Sequence, residues 1–206
     1  GVHGESVMLI QRDNDRFLLH SGQSLDADEI LAEMRASDYS HWMIQERLYA
    51  HPDIAALTGS ENLQTARVVT WIDGDGSAHV IFAWLRIIGS SEAFDNFNFG
   101  AAGNFVATID LETAEIRYAL GTAADGHGLD EIVFHPSTGR RMPGFTIPNG
   151  QQMFEMVQHA AVCFAPLRTI GWDVAITPDG FALVEGNVTW DPLPTREDLA
   201  AIAALQ

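Results

Sequence analysis

A chain of 206 residues with 47% hydrophobic content is long enough to bury a sizeable core as one large domain or two small ones, which excludes a disordered polymer. Its formal net charge of −17, from 28 acidic and 11 basic residues with no basic run, argues against a nucleic-acid backbone or an anionic membrane surface as partner. Cys163 is the single cysteine, so no intrachain disulfide forms; with no secretory leader pattern and no apolar run near the about 20 residues of a membrane span, the composition points to the reducing cytoplasm.

In chain order, GVHGESVMLI enters a short apolar strand that pairs with FLLH through the polar turn QRDNDR, an opening β-hairpin. Asp26 with Glu29 three residues on makes a capping box, and Ile30, Leu31 and Met34 supply the apolar stripe of a short helix. HWMIQERL reads as a strand. ARVVTWI and AHVIFAWLRII flank DGDGS, a hairpin signal, and GNFVATID is a further strand ending at an acidic turn. From Ala119 to Gly150 the chain is rich in Gly, Pro and polar residues, which predicts a long binding or disordered loop. Within it Arg140 and Arg141 offer two cations to an anionic acceptor. QQMFEMVQHAAVCFA has Met153, Met156, Val157, Ala160 and Phe164 at helical spacing, closed by Pro166, with Cys163 read as a core residue. Thr195 caps a terminal helix, with Asp198 completing a capping box. His127, His135 and His159 have no zinc-ligand spacing and read as loop or helix-surface residues.

The segment GWDVAITPDGFALVEGN, residues 171 to 187, carries the chemistry. Pro178 and Gly180 suit a three-residue hairpin loop closed by a bulge. Thr177 then pairs with Phe181, Ala175 with Leu183 and Asp173 with Glu185, and Asn187 shares their face. A two-residue loop is the alternative, and it turns the two carboxylates to opposite faces. Directly opposed carboxylates repel, so something positive is expected between them. Carboxylate and amide oxygens on rigid strands suit Mg²⁺ or Mn²⁺, which keep waters and take substrate phosphates as further ligands. Arg67 and Arg86 lie inside otherwise apolar strands, where a guanidinium needs a partner, and its donor fork matches phosphate or carboxylate. All 11 basic residues are arginine; lysine is absent.

Taken together, YSHWMIQERLYAHPDI, NLQTARVVT, AWLRIIGSSEAFDNFNFG, HPSTGRRMPGFTIP, GWDVAI and LVEGNVTWD, in this order over nearly the whole chain, resemble the sugar-transfer-associated ATP-grasp family. The resemblance implies an α+β ATP-grasp fold, an antiparallel sheet with flanking helices whose N-terminal lobe is incomplete. Residues 1–48 correspond to a remnant of the nucleotide-binding lobe and hinge, and residues 49–206 to the C-terminal lobe with the metal and phosphate site. It implies that Asp173, Glu185 and Asn187 hold Mg²⁺ or Mn²⁺ against ATP. Gln45, Glu46, Arg47 and Leu48 correspond to the hinge that reads adenine and ribose, and Gly1 and Gly4 to the end of the glycine-rich flap over the phosphates. Arg86, Arg67 and Asn96 correspond to the catalytic groups around the transferring phosphoryl, with Gly100 able to approach it and Asp95 capping that loop.

The activity implied by the resemblance is ATP-dependent activation of a carboxylate as an acyl-phosphate and its ligation to an amine or similar nucleophile, in a polysaccharide-biosynthesis context. The alternative is a non-catalytic nucleotide- or metal-binding regulatory module. The expected partners are small-molecule carboxylate and nucleophile substrates, with neither nucleic acid nor membrane. In the ligases that the chain resembles, lysines on the nucleotide lobe reach the phosphates. With none here, an upstream segment of the same protein is expected to supply one, and the 206 residues alone are expected to be inactive.

Overall fold

In the computed structural model, the structure describes residues 8–19, 21–89, 95, 97, 103–193 and 195–205. The chain divides into two compact units, Gly1–Arg47 and Leu48–Gln206.

In the first unit, β1 (Ile10–Asp13) and β2 (Arg16–Leu19) pair antiparallel, and β3 (Ser24–Leu25) adds to β2. The hairpin turn is Asn14–Asp15, tighter than the polar stretch suggests, with Asn14 at φ 55, a left-handed conformation that Asn tolerates. Helix α1 (Ala27–Ala36) starts at the expected capping box: Asp26 accepts from the Glu29 N–H at 2.9 Å, and Glu29 accepts from the Asp26 N–H at 2.8 Å. HWMIQERL is not a strand. A strand persists only where a neighbouring strand takes up its N–H and C=O groups, and among the described residues no strand pairs with 41–48. Met43 and Ile44 are each 81% exposed.

The second unit is built on a seven-stranded antiparallel sheet. Its strands are β4 (Thr65–Ile72), β5 (Ala78–Ile87), β6 (Phe105–Ile109), β7 (Ile116–Thr122), β8 (Leu129–Glu131), β9 (Thr169–Thr177) and β10 (Gly180–Asn187), in spatial order β10-β9-β4-β5-β6-β7-β8. The β4–β5 and β9–β10 hairpins fall where the sequence places them. One face, with Ala66, Val68, Leu85, Trp172 and Val174, packs against α3 (Gly150–Cys163) through Met153, Phe154 and Val157. Against the other, with Val69, Phe82, Trp84 and Val106, lie Leu193, Trp190 and α4 (Arg196–Ala203) through Ala201 and Ile202. A short helix, α2 (Pro52–Thr58), precedes β4; its Pro at the first turn and Gly59 at φ 75 after the last are start and stop signals that the sequence reading passed over.

Three expectations are corrected here. The stretch from Ala119 to Gly150 is not a long irregular loop. It finishes β7, forms β8, bridges Phe134 to Arg141, and buries Met142 and Ile147 at 0% and 1% exposure, so its glycines serve turns within packed structure. His135 is not a surface residue: at 1% exposure its Nε2 lies 2.9 Å from the Ile88 carbonyl, while its Nδ1 accepts from the Ser137 N–H at 3.3 Å. Cys163 is not in the core but exposed, at the last position of α3.

The β9–β10 hairpin arrives at the expected pairing by an unexpected route. Thr177 pairs with Gly180 across a two-residue turn, which by itself would set Val184 opposite Asp173. A bulge between Leu183 and Glu185 absorbs Val184, and Glu185 pairs with Asp173 after all. Thr177 therefore does not pair with Phe181, nor Ala175 with Leu183; their partners are Gly180 and Ala182.

Candidate functional site

The site is laid out by strand register. Arg67 on β4 pairs with Asp173 on β9 and with Trp84 on β5, and Asp173 pairs with Glu185 on β10. Directly opposed residues share a face, as do residues two apart on one strand. Thr65, Arg67, Arg86, Asp173, Glu185 and Asn187 therefore all belong to the face on which α4 packs. This juxtaposition of β4, β5, β9 and β10 collects two cations and two carboxylates from residues up to about 120 positions apart.

The group that lies against Asp173 is a pair of guanidiniums. Arg67 donates Nε to Asp173 Oδ1 and Nη2 to Oδ2 at 3.0 Å, and Arg86 donates Nη1 to the same Oδ2 at 3.1 Å. Asp173 is only 4% exposed. Burial pushes its carboxyl up, but the Arg67 hydrogen bonds and the charges of Arg86 and Arg67 outweigh burial and hold it below the usual carboxylate range. Glu185 stands opposite it on β10 and adds to the lowering.

A third carboxylate extends the network. Asp95 Oδ2 accepts from the Thr65 N–H and from Thr65 Oγ1, both at 2.6 Å, and Thr65 Oγ1 accepts from Arg86 Nη1 at 3.1 Å. A hydroxyl has one hydrogen; Thr65 spends it on Asp95 and offers a lone pair to Arg86. Burial raises the Asp95 carboxyl above its ordinary value, and the Arg86 charge and Thr65 bonds recover only part. Asp95, read from sequence as a loop cap, anchors the base of β4 through Thr65 and so steadies Arg86.

Gly171, two residues before Asp173, is where Trp190 and the Arg67 stem converge. A Cβ there would stand 2.9 Å from Trp190 Cβ and 3.3 Å from Arg67 Cδ. Trp190 donates Nε1 to Thr169 Oγ1 at 3.0 Å and meets Phe82 edge-on at 5.4 Å, so the residues following Asn187 fold back over the arginine.

Glu185 and Asn187 stand two apart on β10, and Asn187 Nδ2 donates to Glu185 Oε1 at 3.1 Å. One carboxylate and one amide so placed supply hard oxygen donors that fit a divalent ion completed by water and phosphate. Asp173 fits that role less well, because both its oxygens are already taken by guanidinium donors. Among the described residues no group of three or more His, Cys, Asp and Glu side chains is arranged to hold a metal.

Gln45, Glu46 and Arg47 belong to the first unit and Leu48 begins the second; Gln45 and Glu46 are exposed. Gly1, Gly4, Asn96 and Gly100 lie outside the described residues. Arg140 and Arg141 are exposed. Thr65, Asp95, Gly171 and Trp190 were not assigned to the site by sequence, and the available signal was slight: a Thr two residues before an arginine on one strand, and a Gly where β propensity is poor.

A family model described as sugar-transfer associated ATP-grasp matches residues 1–198. No curated protein and no solved structure matches the chain.

Proposed function

Because the chain belongs to the sugar-transfer-associated ATP-grasp family, whose fold its α+β architecture with antiparallel sheets matches and whose membership implies ATP-dependent, ligase-type chemistry in general, we propose that it takes part in activating a carboxylate with ATP. The observation that carries this reading is the convergence of Arg67 and Arg86 beside Asp173, Glu185 and Asn187 on one sheet face.

In the proposed reaction a substrate carboxylate oxygen attacks the γ-phosphorus of ATP, the bond to the β,γ-bridging oxygen breaks, and ADP leaves with the electron pair. An amine or similar nucleophile then attacks the acyl-phosphate carbonyl, phosphate leaves, and the nucleophile loses its proton. No side chain of the protein forms a covalent bond. Arg86 and Arg67 hold oxygens of the transferring phosphoryl group as charge redistributes, and Thr65 and Asp95 keep Arg86 in place. Glu185 and Asn187 would hold Mg²⁺, which supplies charge neutralisation at the phosphates. Positioning and electrostatics account for most of the rate in such transfers.

A nucleotide-binding module without turnover is the second reading, favoured by the full engagement of Asp173 with arginines. The test has two parts. Calorimetry with MgATP should show binding to the wild type that Glu185→Gln abolishes while the far-ultraviolet circular dichroism is unchanged; equal binding by the variant would remove Glu185 from the ion site. A screen of carboxylate and amine pairs, read as ADP formation, tests the second reading: acceptor-dependent ADP supports the ligase and overturns the module without turnover.

A further inference from the structure

Arg67 and Arg86 converge on a single carboxylate, with three of their donors on its two oxygens. The same donor set suits a phosphate-class oxyanion. Neither arginine depends on Asp173 alone for its position. Arg86 also donates to Thr65 Oγ1 at 3.1 Å, and Thr65 is tied at 2.6 Å to Asp95; the Arg67 stem lies against Gly171. The side chains of Arg67 and Arg86 are 12% and 16% exposed and that of Asp173 is 6% exposed, so the cations are more open than the anion they share. An incoming anion therefore meets two guanidiniums that already share a resident carboxylate.

We propose that Arg67 and Arg86 form a preassembled oxyanion site whose resident anion is Asp173, so that a phosphate-class ligand binds by competing with that carboxylate. Asp173 is then a positioning residue that keeps two partly buried cations together and suppresses their occupation by adventitious anions. The proposal deepens the reading above and rests on it only for the identity of the natural ligand. It carries an unusual sign: removing a site carboxylate improves binding of a metal-free anion.

The probe is inorganic tripolyphosphate in excess EDTA, titrated by calorimetry into the wild type and Asp173→Asn. The expected result is at least about tenfold tighter binding by the folded variant, a step that corresponds to about 1.4 kcal/mol. Equal or weaker binding by a folded variant overturns the proposal. Should the variant not fold, the wild type decides. Its Arg67 Nε–H proton resonance, assigned by its loss in Arg67→Gln, reports the bond to Asp173. A saturable shift as tripolyphosphate is added supports competition; a resonance unmoved through saturation, or no saturable binding, overturns it. MgATP titrated into the wild type keeps the two ideas apart. Tripolyphosphate bound with no MgATP binding refutes the nucleotide reading and leaves the oxyanion site standing, whereas MgATP binding without tighter tripolyphosphate binding by Asp173→Asn does the reverse.

Discussion

At Asp198 the fold buries a carboxyl that it only half satisfies. The residue sits three positions after the Thr195 cap, is 5% exposed, and among the described residues finds no hydrogen-bond partner for Oδ2. The expected capping box is thus realised in one direction, the Asp198 N–H to Thr195 Oγ1 at 3.1 Å. Burial drives the carboxyl up to about 6, bonds from Thr195 and Leu193 recover part, and Glu197 adds to the rise. Because the folded value lies above the unfolded one, the folded state binds the proton more tightly: stability is greatest below the unfolded pKa of about 4 and falls as pH rises to about 6. Asp198→Asn removes that cost. Its unfolding free energy in urea should exceed the wild type's at pH 7.5 by on the order of 1–2 kcal/mol, with the gain gone at pH 4. A gain independent of pH would show that ionisation is not the cause. At this scale the sequence revealed charges in apolar places, which is why Arg67 and Arg86 were legible. It did not reveal Asp95, because its bond to Thr65 spans 30 positions and depends on where the intervening chain returns.

At the level of elements, the two residues that follow β5 are held by side chains. Gln64, fully buried, accepts from the Ile88 N–H at 3.0 Å; His135 meets the Ile88 carbonyl at 2.9 Å; Asn104 accepts from the Gly89 N–H at 3.2 Å. This clamp lies two residues beyond Arg86. Replacing His135 by Leu keeps an apolar body but leaves the Ile88 carbonyl and the Ser137 N–H without the ring, and should cost about 2–3 kcal/mol. Urea unfolding measures it; a loss below about 0.5 kcal/mol would mean that water or a shifted backbone satisfies both groups. The clamp also explains why the HPSTGRRMPG stretch read as a loop: its composition is that of turns, and its order comes from one buried imidazole and from Thr138 Oγ1 donating to the Leu57 carbonyl at 2.7 Å. The hairpin at residues 177–180 teaches the converse. Turn chemistry suggested three residues and the chain uses two, yet the bulge at Val184 restores the opposition of Asp173 and Glu185, so the site residues were legible while the path to them was not. Nothing local in HWMIQERL announces that none of the described strands pairs with it.

Across the whole molecule, a net charge of −17 surrounds a site whose local cations are matched by carboxylates. An anionic ligand such as a nucleotide therefore meets opposing fields at different distances. At about 10 mM ionic strength the Debye length is about 30 Å and the ligand feels the acidic surface as a whole; at about 150 mM it is about 8 Å, and only the near groups, Arg67 and Arg86 among them, act on it. Most nucleotide sites on basic proteins lose association rate as salt is added, because steering is attractive. Here the long-range term is repulsive and the attraction is short-ranged, so adding salt removes the obstacle first. The association rate of a fluorescent ATP analogue at fixed free Mg²⁺ should rise severalfold between these two ionic strengths, while the dissociation rate, governed by contacts at close range, changes less. Stopped-flow measurement at both ionic strengths gives the sign directly. An association rate that falls with salt would mean that the ligand approaches through a locally positive field, and that the overall charge of the molecule does not govern its encounter.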